Sequence, residues 1–343
     1  METVERIAEA VLYEGYLLFP YTRSTTKNQQ RWTFGGVYPR RYSDAGGGND
    51  PWTMQTQCLA TGDSRTEIQI KVRFLHILDR TVADDRSGTR RMVNELRVDG
   101  QIYRPWEEAV EREVLLGPFA VGELLERSRP IPIDVAAGSE EERLADASGT
   151  AVGSLIRSWR ALHGEIEFAA EQAQTGCYRL TVTIANTTSL PSSDTVTARG
   201  DALRQTMIST HTILRIRDGE FISLLEPPDA LAQAVEDCRN LGTWPVLAGE
   251  KGDRHTILSS PIILYDYPQI APESPGNLFD ATEIDELLTL SVMTLTDEEK
   301  QEMREGDPRG REILERTESL TPEQIISLHG TIRSLQAIRP EEP

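Results

Sequence analysis

The chain has 343 residues, enough for a large core arranged as two domains or as one large domain with appendages. A hydrophobic share of 38% beside 27% charged residues excludes a disordered composition, and no apolar run reaches the roughly 18 to 20 residues that cross a bilayer. A formal charge of -19 repels duplex nucleic acid, whose affinity rests largely on Lys and Arg contacts to phosphate, so neither nucleic acid nor a membrane is an expected partner.

Residues 2 to 12 read as a short helix with Ile7 and Val11 on one face. An extended, aromatic run is expected from Tyr13, punctuated by turns at Gly35-Gly36 and Gly46-Gly47-Gly48. From Glu67, the residues Ile68, Ile70, Val72, Phe74, His76 and Leu78 alternate with Gln69, Lys71, Arg73, Leu75 and Ile77, the period of a long strand. A hairpin is expected at Asn94 to Arg104, turning at Asp99-Gly100. Glu108 to Leu115 reads as a strand, with a helix as the alternative. Residues 118 to 150 mix Pro130, Pro132, Gly138, Gly149 and Glu140-Glu141-Glu142, which predicts an irregular connection holding a domain boundary.

Strands follow near Val152 to Leu162, Gly164 to Gln172 and Tyr178 to Thr188. A helix is predicted at Asp201 to Ile208, then a hairpin turning at Asp218-Gly219, an amphipathic helix at Asp229 to Cys238, and strands at Trp244 to Leu247 and Ile257 to Tyr265. Pro268, Pro272 and Pro275 force an extended loop. The last stretch, Asp280 to Pro343, carries sixteen acids against seven bases and shows helix starts at Thr296, Asp307-Pro308 and Thr321-Pro322. The expected fold is α+β, mainly β, with antiparallel sheets or a β-sandwich, inserted helices and a helical C-terminal tail. Its units are a β-rich 1–135, a sandwich-like 150–280 and an acidic helical 281–343.

The acidic start from Met1 to Glu14 lacks the basic opening of an export signal, which with the absence of an apolar span points to the cytoplasm. Cys58, Cys177 and Cys238 are far apart with no Cys-x-x-Cys pair, so they read as reduced, buried small residues. The five histidines are scattered, and the familiar nucleotide, zinc and nucleophile-elbow motifs are absent, so no metal site and no cofactor are expected.

Two regions stand out. Between Tyr13 and Tyr42, five Tyr, two Phe and Trp32 accompany five basic residues and a single acid, a +4 window in a strongly acidic chain. The apolar members suit core strands, whereas Tyr21, Arg23, Lys27, Arg31, Trp32, Arg40 and Arg41 have the Arg and aromatic composition of a protein-binding rim. The second region runs from Ser259 to Gly276. There Asp266, between Tyr265 and Tyr267, and Glu273 could form an acid and base pair beside Trp244 for a small or carbohydrate-like substrate, or simply brace a Pro-stiffened loop.

The residues Tyr13-Glu14-Gly15-Tyr16-Leu17-Leu18-Phe19-Pro20-Tyr21, Asn28, Arg31-Trp32-Thr33-Phe34-Gly35-Gly36-Val37-Tyr38-Pro39, Gly242-Thr243-Trp244-Pro245-Val246 and the Ser260 to Gly276 run resemble a family of bacterial proteins encoded beside nickel-iron hydrogenase structural and maturation genes. The resemblance implies a cytoplasmic accessory role in hydrogenase assembly, with a hydrogenase subunit or maturation factor as the protein partner. The expected function is therefore noncatalytic binding. The alternatives are an enzyme using Asp266 and Glu273, and a structural subunit whose basic window pairs with the acidic tail of another copy in a homo-oligomer.

Overall fold

A computed structural model describes residues 2–14, 35–46, 50–190, 198–269, 297, 300–301, 304 and 308–319. The chain begins with α1 (Glu2–Glu14), whose buried Val4, Ile7, Ala8 and Val11 recur at helical spacing. The helix therefore continues past Tyr13, where an extended run is expected from sequence. After α2 (Arg40–Asp44) comes β1 (Thr53–Asp84), a strand of 32 residues that includes the predicted 68–78 alternation and extends well beyond it in both directions.

β2 (Arg91–Val93) and the hairpin of β3 (Leu96–Val98) and β4 (Gln101–Tyr103) follow. Asp99 and Gly100 turn that hairpin with φ of 49° and 86°, the left-handed pair that suits the twist of a two-residue connection. β5 (Trp106–Ala120) is a strand, which settles the strand or helix alternative left open for Glu108 to Leu115, and leads into α3 (Val121–Glu126), β6 (Arg129–Val135), β7 (Gly138–Ala145), β8 (Ala151–Trp159), β9 (Leu162–Gln174) and β10 (Cys177–Asn186). Residues 118 to 150 are thus ordered elements and not an irregular connection. Pro130 and Pro132 lie on β6, the edge of its sheet, where a missing N–H interrupts no ladder. The acids of β7 find cations and hydroxyls: Glu141 pairs with Arg90 at 2.6 Å and accepts from Ser154, and Glu142 pairs with Arg157 at 2.8 Å.

α4 (Arg199–Leu203) is shorter than the predicted 201–208 helix and ends before β11 (Ile208–Ile222). The Asp218-Gly219 pair does not turn a hairpin, because β11 runs straight through it. β1 makes the excursion instead. Four residues of β1, Asp63 to Thr66, bulge out opposite Asp218, with Thr66 Oγ1 accepting from Asp63 N and donating to Asp218 O. Gly219 is needed there, since a Cβ would stand 2.5 Å from Thr61 O. A 3₁₀ turn at Asp229–Leu231, α5 (Ala232–Glu236), the hairpin of β12 (Trp244–Leu247) and β13 (Thr256–Ser260), and α6 (Pro308–Ser319) complete the described elements.

The fold is α+β and mainly β. One antiparallel sheet of 11 strands follows the order β12-β13-β11-β1-β10-β9-β6, with β2, β5 and β8 also paired to β1 and β7 paired to β8. It takes strands from both sides of residues 136–149. β1 organises it, pairing with β10 through Thr53–Thr61, with β5 through Glu67–Arg80 and with β8 through Asp79–Asp84. Ile68, Ile70, Val72 and Phe74 from its second half enter the same core as Met54, Cys58 and Ala60 from its first, joined by Ile166, Phe168, Leu180, Val182 and Ile184. The bulge at residues 63–66 therefore lets one strand contribute both halves to a shared core.

Satellite clusters dock the helices on the outside. α1 lies over Ile213, Ala248 and Leu258, and its Glu5 holds Lys71 at 3.1 Å and Arg215 at 2.8 Å. Those cations keep the Glu5 carboxyl below its ordinary pKa against the opposing effect of burial. Ala234, with Leu231 and Val235, covers Leu59, Cys177 and Ile222. All three cysteines are free thiols; Cys58 and Cys177 are buried and Cys238 is half-buried. No described helix is long and apolar enough to cross a membrane.

Candidate functional site

Of the residues singled out from sequence, Tyr21, Arg23, Lys27, Arg31, Trp32 and Glu273 lie outside the described residues. Arg40 and Arg41 open α2. The Arg40 guanidinium sits 4.5 Å from the centre of the Trp52 ring, and its Nε is 3.3 Å from Asp44, both side chains of that ion pair being exposed. Arg41 turns the other way and donates to Leu190 O at 3.4 Å. The two neighbouring arginines thus do different things: Arg40 presents a cation stacked on an aromatic plane, while Arg41 ties down a loop.

The tyrosines of this window are anchors. Tyr38 is buried and its ring stacks on Tyr42 with centres 5.5 Å apart. Arg199 donates to the Tyr38 hydroxyl and, at 3.0 Å, to Asp50, and the Tyr42 hydroxyl donates to Asp50 at 3.1 Å. Burial pushes the Tyr38 hydroxyl well above the usual tyrosine range, so it stays protonated. Asn186, fully buried, donates to Val37 O and Gln205 O and so fixes the same segment to the sheet.

Asp266 occupies a different kind of site. Its Oδ1 accepts from Leu247 N at 2.8 Å and its Oδ2 accepts from Ser223 Oγ, whose oxygen in turn accepts from the amides of Leu225 and Glu226. Tyr267 N closes the strap by donating to Leu247 O at 2.7 Å. Leu247 aims both backbone groups away from β13, so this strap covers the outer edge of β12; Pro245, two residues earlier on the same edge, has no N–H to offer. That edge is closed to strand addition. Because both its oxygens are engaged in holding the strap, Asp266→Ala should lower the unfolding free energy by about 2 kcal/mol, the cost of orphaning buried donors. A urea midpoint equal to that of the parent would exclude the bracing role.

The strap also displays apolar side chains. Ile262 and Leu264 pack toward the cluster beneath α1, so Ile263 and Tyr265, of opposite parity, face solvent at 70% and 84% exposure. Trp244, opposite Ser260 on β12, is 43% exposed, and Leu225 and Leu241 are exposed nearby. Leu225 is placed by Ser223. Leu241 is placed by its backbone bridge to Gln55, beside which Gln57 N donates to Asn240. Five of the eight large apolar side chains most exposed among the described residues thus gather around one end of the sheet.

Among the described residues no group of three or more His, Cys, Asp and Glu side chains is placed to hold a metal ion. Sequence reasoning named Trp244 and Tyr265 only as neighbours of Asp266, and missed Leu225, Leu241 and Ile263. The parity of residues 262 to 265 is a signal that could have found Ile263. Nothing local marks Leu225 or Leu241.

The fold and this surface define a mainly β protein built on one antiparallel sheet with an aromatic and aliphatic face at the β12 end. No protein-family model and no curated protein matches the chain.

Proposed function

We propose that this chain is a noncatalytic accessory protein that works in the cytoplasm by binding another protein, and that its partner is a nickel-iron hydrogenase subunit or maturation factor. The observation that carries the binding role is the exposed set of Trp244, Ile263, Tyr265, Leu225 and Leu241. Exposed large apolar side chains, aromatic ones above all, are where protein partners bind. Glu226, Asp229, Glu236 and Asp237 are exposed in the chain that carries Leu225 and Leu241, against Arg239 alone, so the rim favours a basic and apolar partner segment. The hydrogenase assignment rests on the wording shared with that gene-neighbourhood family. Arg40 over Trp52 offers a second, cationic contact.

The test is a pull-down from a hydrogenase-producing host with the parent chain and with Trp244→Ser/Tyr265→Ser. The parent should recover a hydrogenase component, and the double variant, folded by circular dichroism, should lose about 2 kcal/mol or more of affinity, over tenfold. Failure to recover any hydrogenase component rejects the hydrogenase reading, and unchanged affinity in the variant rejects the surface.

A further inference from the structure

We infer that Cys177 and Cys238 form a redox latch, in which a peroxide joins them in a disulfide that fastens α5 and the chain just after it to β10. The chain has three cysteines, far apart in sequence, and the fold brings two of them to one place. Cys177 opens β10, and Cys238 follows closely on α5. Both pack in the outer cluster around Leu59, Ile222 and Ala234. The Cys238 thiol donates to Ala234 O at 3.5 Å, and Arg179, on the same face of β10 as Cys177, donates to that same oxygen at 3.2 Å. Burial raises the Cys177 pKa and the Cys238 sulfur raises it further, ahead of the opposing effect of Arg179.

Cys58 is a bystander. It pairs in register with Leu180 and faces the main core beside it, whereas Cys177 pairs with Thr61 and faces the outer cluster, so the sheet stands between those two side chains. Cys238 is the thiol that meets the oxidant, being half-buried where Cys58 and Cys177 are buried. Burial raises its pKa, Arg179 opposes that, and Asp237 and Glu171 add to it. Its thiolate is therefore scarce at neutral pH, and the pair stays reduced until peroxide is abundant.

The chemistry takes two steps. The Cys238 thiolate attacks one oxygen of hydrogen peroxide, the O–O bond breaks, hydroxide leaves and a sulfenic acid remains. The Cys177 thiolate then attacks that sulfur, the S–O bond breaks and a second hydroxide leaves. The hydroxides take up the two thiol protons, so two thiols and one peroxide become one disulfide and two waters. Such a bridge needs Cα atoms within about 7 Å of each other, so it forms only while α5 is seated on β10. In the reduced chain α5 is held by the apolar cluster and by Arg179 and Gln174, which donate to Ala234 O and Ala230 O.

The test exposes the reduced full chain to hydrogen peroxide and maps its peptides without reduction. A peptide linking Cys177 to Cys238, lost again with dithiothreitol, is expected, with Cys58 still a free thiol. Cys177→Ala should leave a sulfenic acid on Cys238 that dimedone traps, and Cys238→Ala, folded by circular dichroism, should leave Cys177 unoxidised. Amide exchange over residues 232–238 should slow by about tenfold or more in the disulfide form. A folded chain that forms no intramolecular disulfide, or one that includes Cys58, overturns the pairing, as does Cys177 oxidised in Cys238→Ala as readily as in the parent. Unchanged exchange in the oxidised chain overturns the latch.

Discussion

Lowering the pH from 7.5 to 5 should remove roughly 4 kcal/mol of stability, because two histidines are buried neutral. His76 and His211 are each fully buried, and burial pushes each pKa down to about 4 from 6.5. For His76 the Arg112 guanidinium adds to the effect, and for His211 that of Arg73. His76 Nε2 is 3.3 Å from Arg204 O and His211 Nδ1 is 3.0 Å from Ser209 O, so these nitrogens carry the protons. The opposite nitrogens, His76 Nδ1 and His211 Nε2, have no hydrogen-bond partner among the described residues. A second proton on either would be a buried charged donor with nothing to receive it.

The sign follows from proton binding. Between pH 6.5 and 4 the unfolded chain binds more protons than the folded one, so stability rises with pH. The contribution of each histidine is complete above about 6.5, falls progressively as the pH drops toward 4, and amounts to about 3 kcal/mol in all. Urea unfolding at pH 7.5 and 5 measures it, and His211→Asn should halve the difference. Equal unfolding free energies at the two pH values would show that these rings are not excluded from solvent.

The second large effect is expected at Glu108. Its Oε1 accepts from Arg80 at 2.7 Å and its Oε2 from Arg157 at 2.7 Å, so one carboxylate bridges two guanidinium groups where β1, β5 and β8 meet, with Glu142 as a second partner of Arg157. The Arg80 side chain is only 6% exposed and also donates twice to Arg104 O. Glu108→Ala should cost about 3 to 5 kcal/mol, since it takes the carboxylate from the buried Arg80 cation and leaves Arg157 beside it. Replacing the pair together, as Arg80→Met/Glu108→Leu, should cost less than the single change, because it removes a charge along with its partner. A loss under about 1 kcal/mol for Glu108→Ala would mean that water already solvates the two arginines.

Elements with strong local period were legible. The alternation from Ile68 to Leu78, the apolar face of α1 and the Asp99-Gly100 turn each need only neighbouring residues to declare themselves. The misreadings at Pro130, Pro132 and Asp218-Gly219 share a cause. Proline is acceptable in a strand that has no partner on one side, and a turn dipeptide can serve a bulge in the neighbouring strand. Both facts concern pairing with distant segments. The candidate surface was half legible in the same sense: Trp244 and Tyr265 drew notice as aromatics near a carboxylate, but whether Asp266 reacts or braces depends on Ser223 and Leu247, which its own sequence neighbourhood does not contain.

The sequence by itself determined a mainly β, acidic chain with an N-terminal helix, one dominant strand and thiols that stay unpaired, because composition and short-range period set those properties. Only the tertiary structure decided that β1 serves both halves of one core, that Glu108 sits between two arginines and that five apolar side chains share one exposed end. Each of those depends on which strand lies beside which, and antiparallel pairing brings together residues separated by tens to hundreds of positions, beyond the reach of any local pattern.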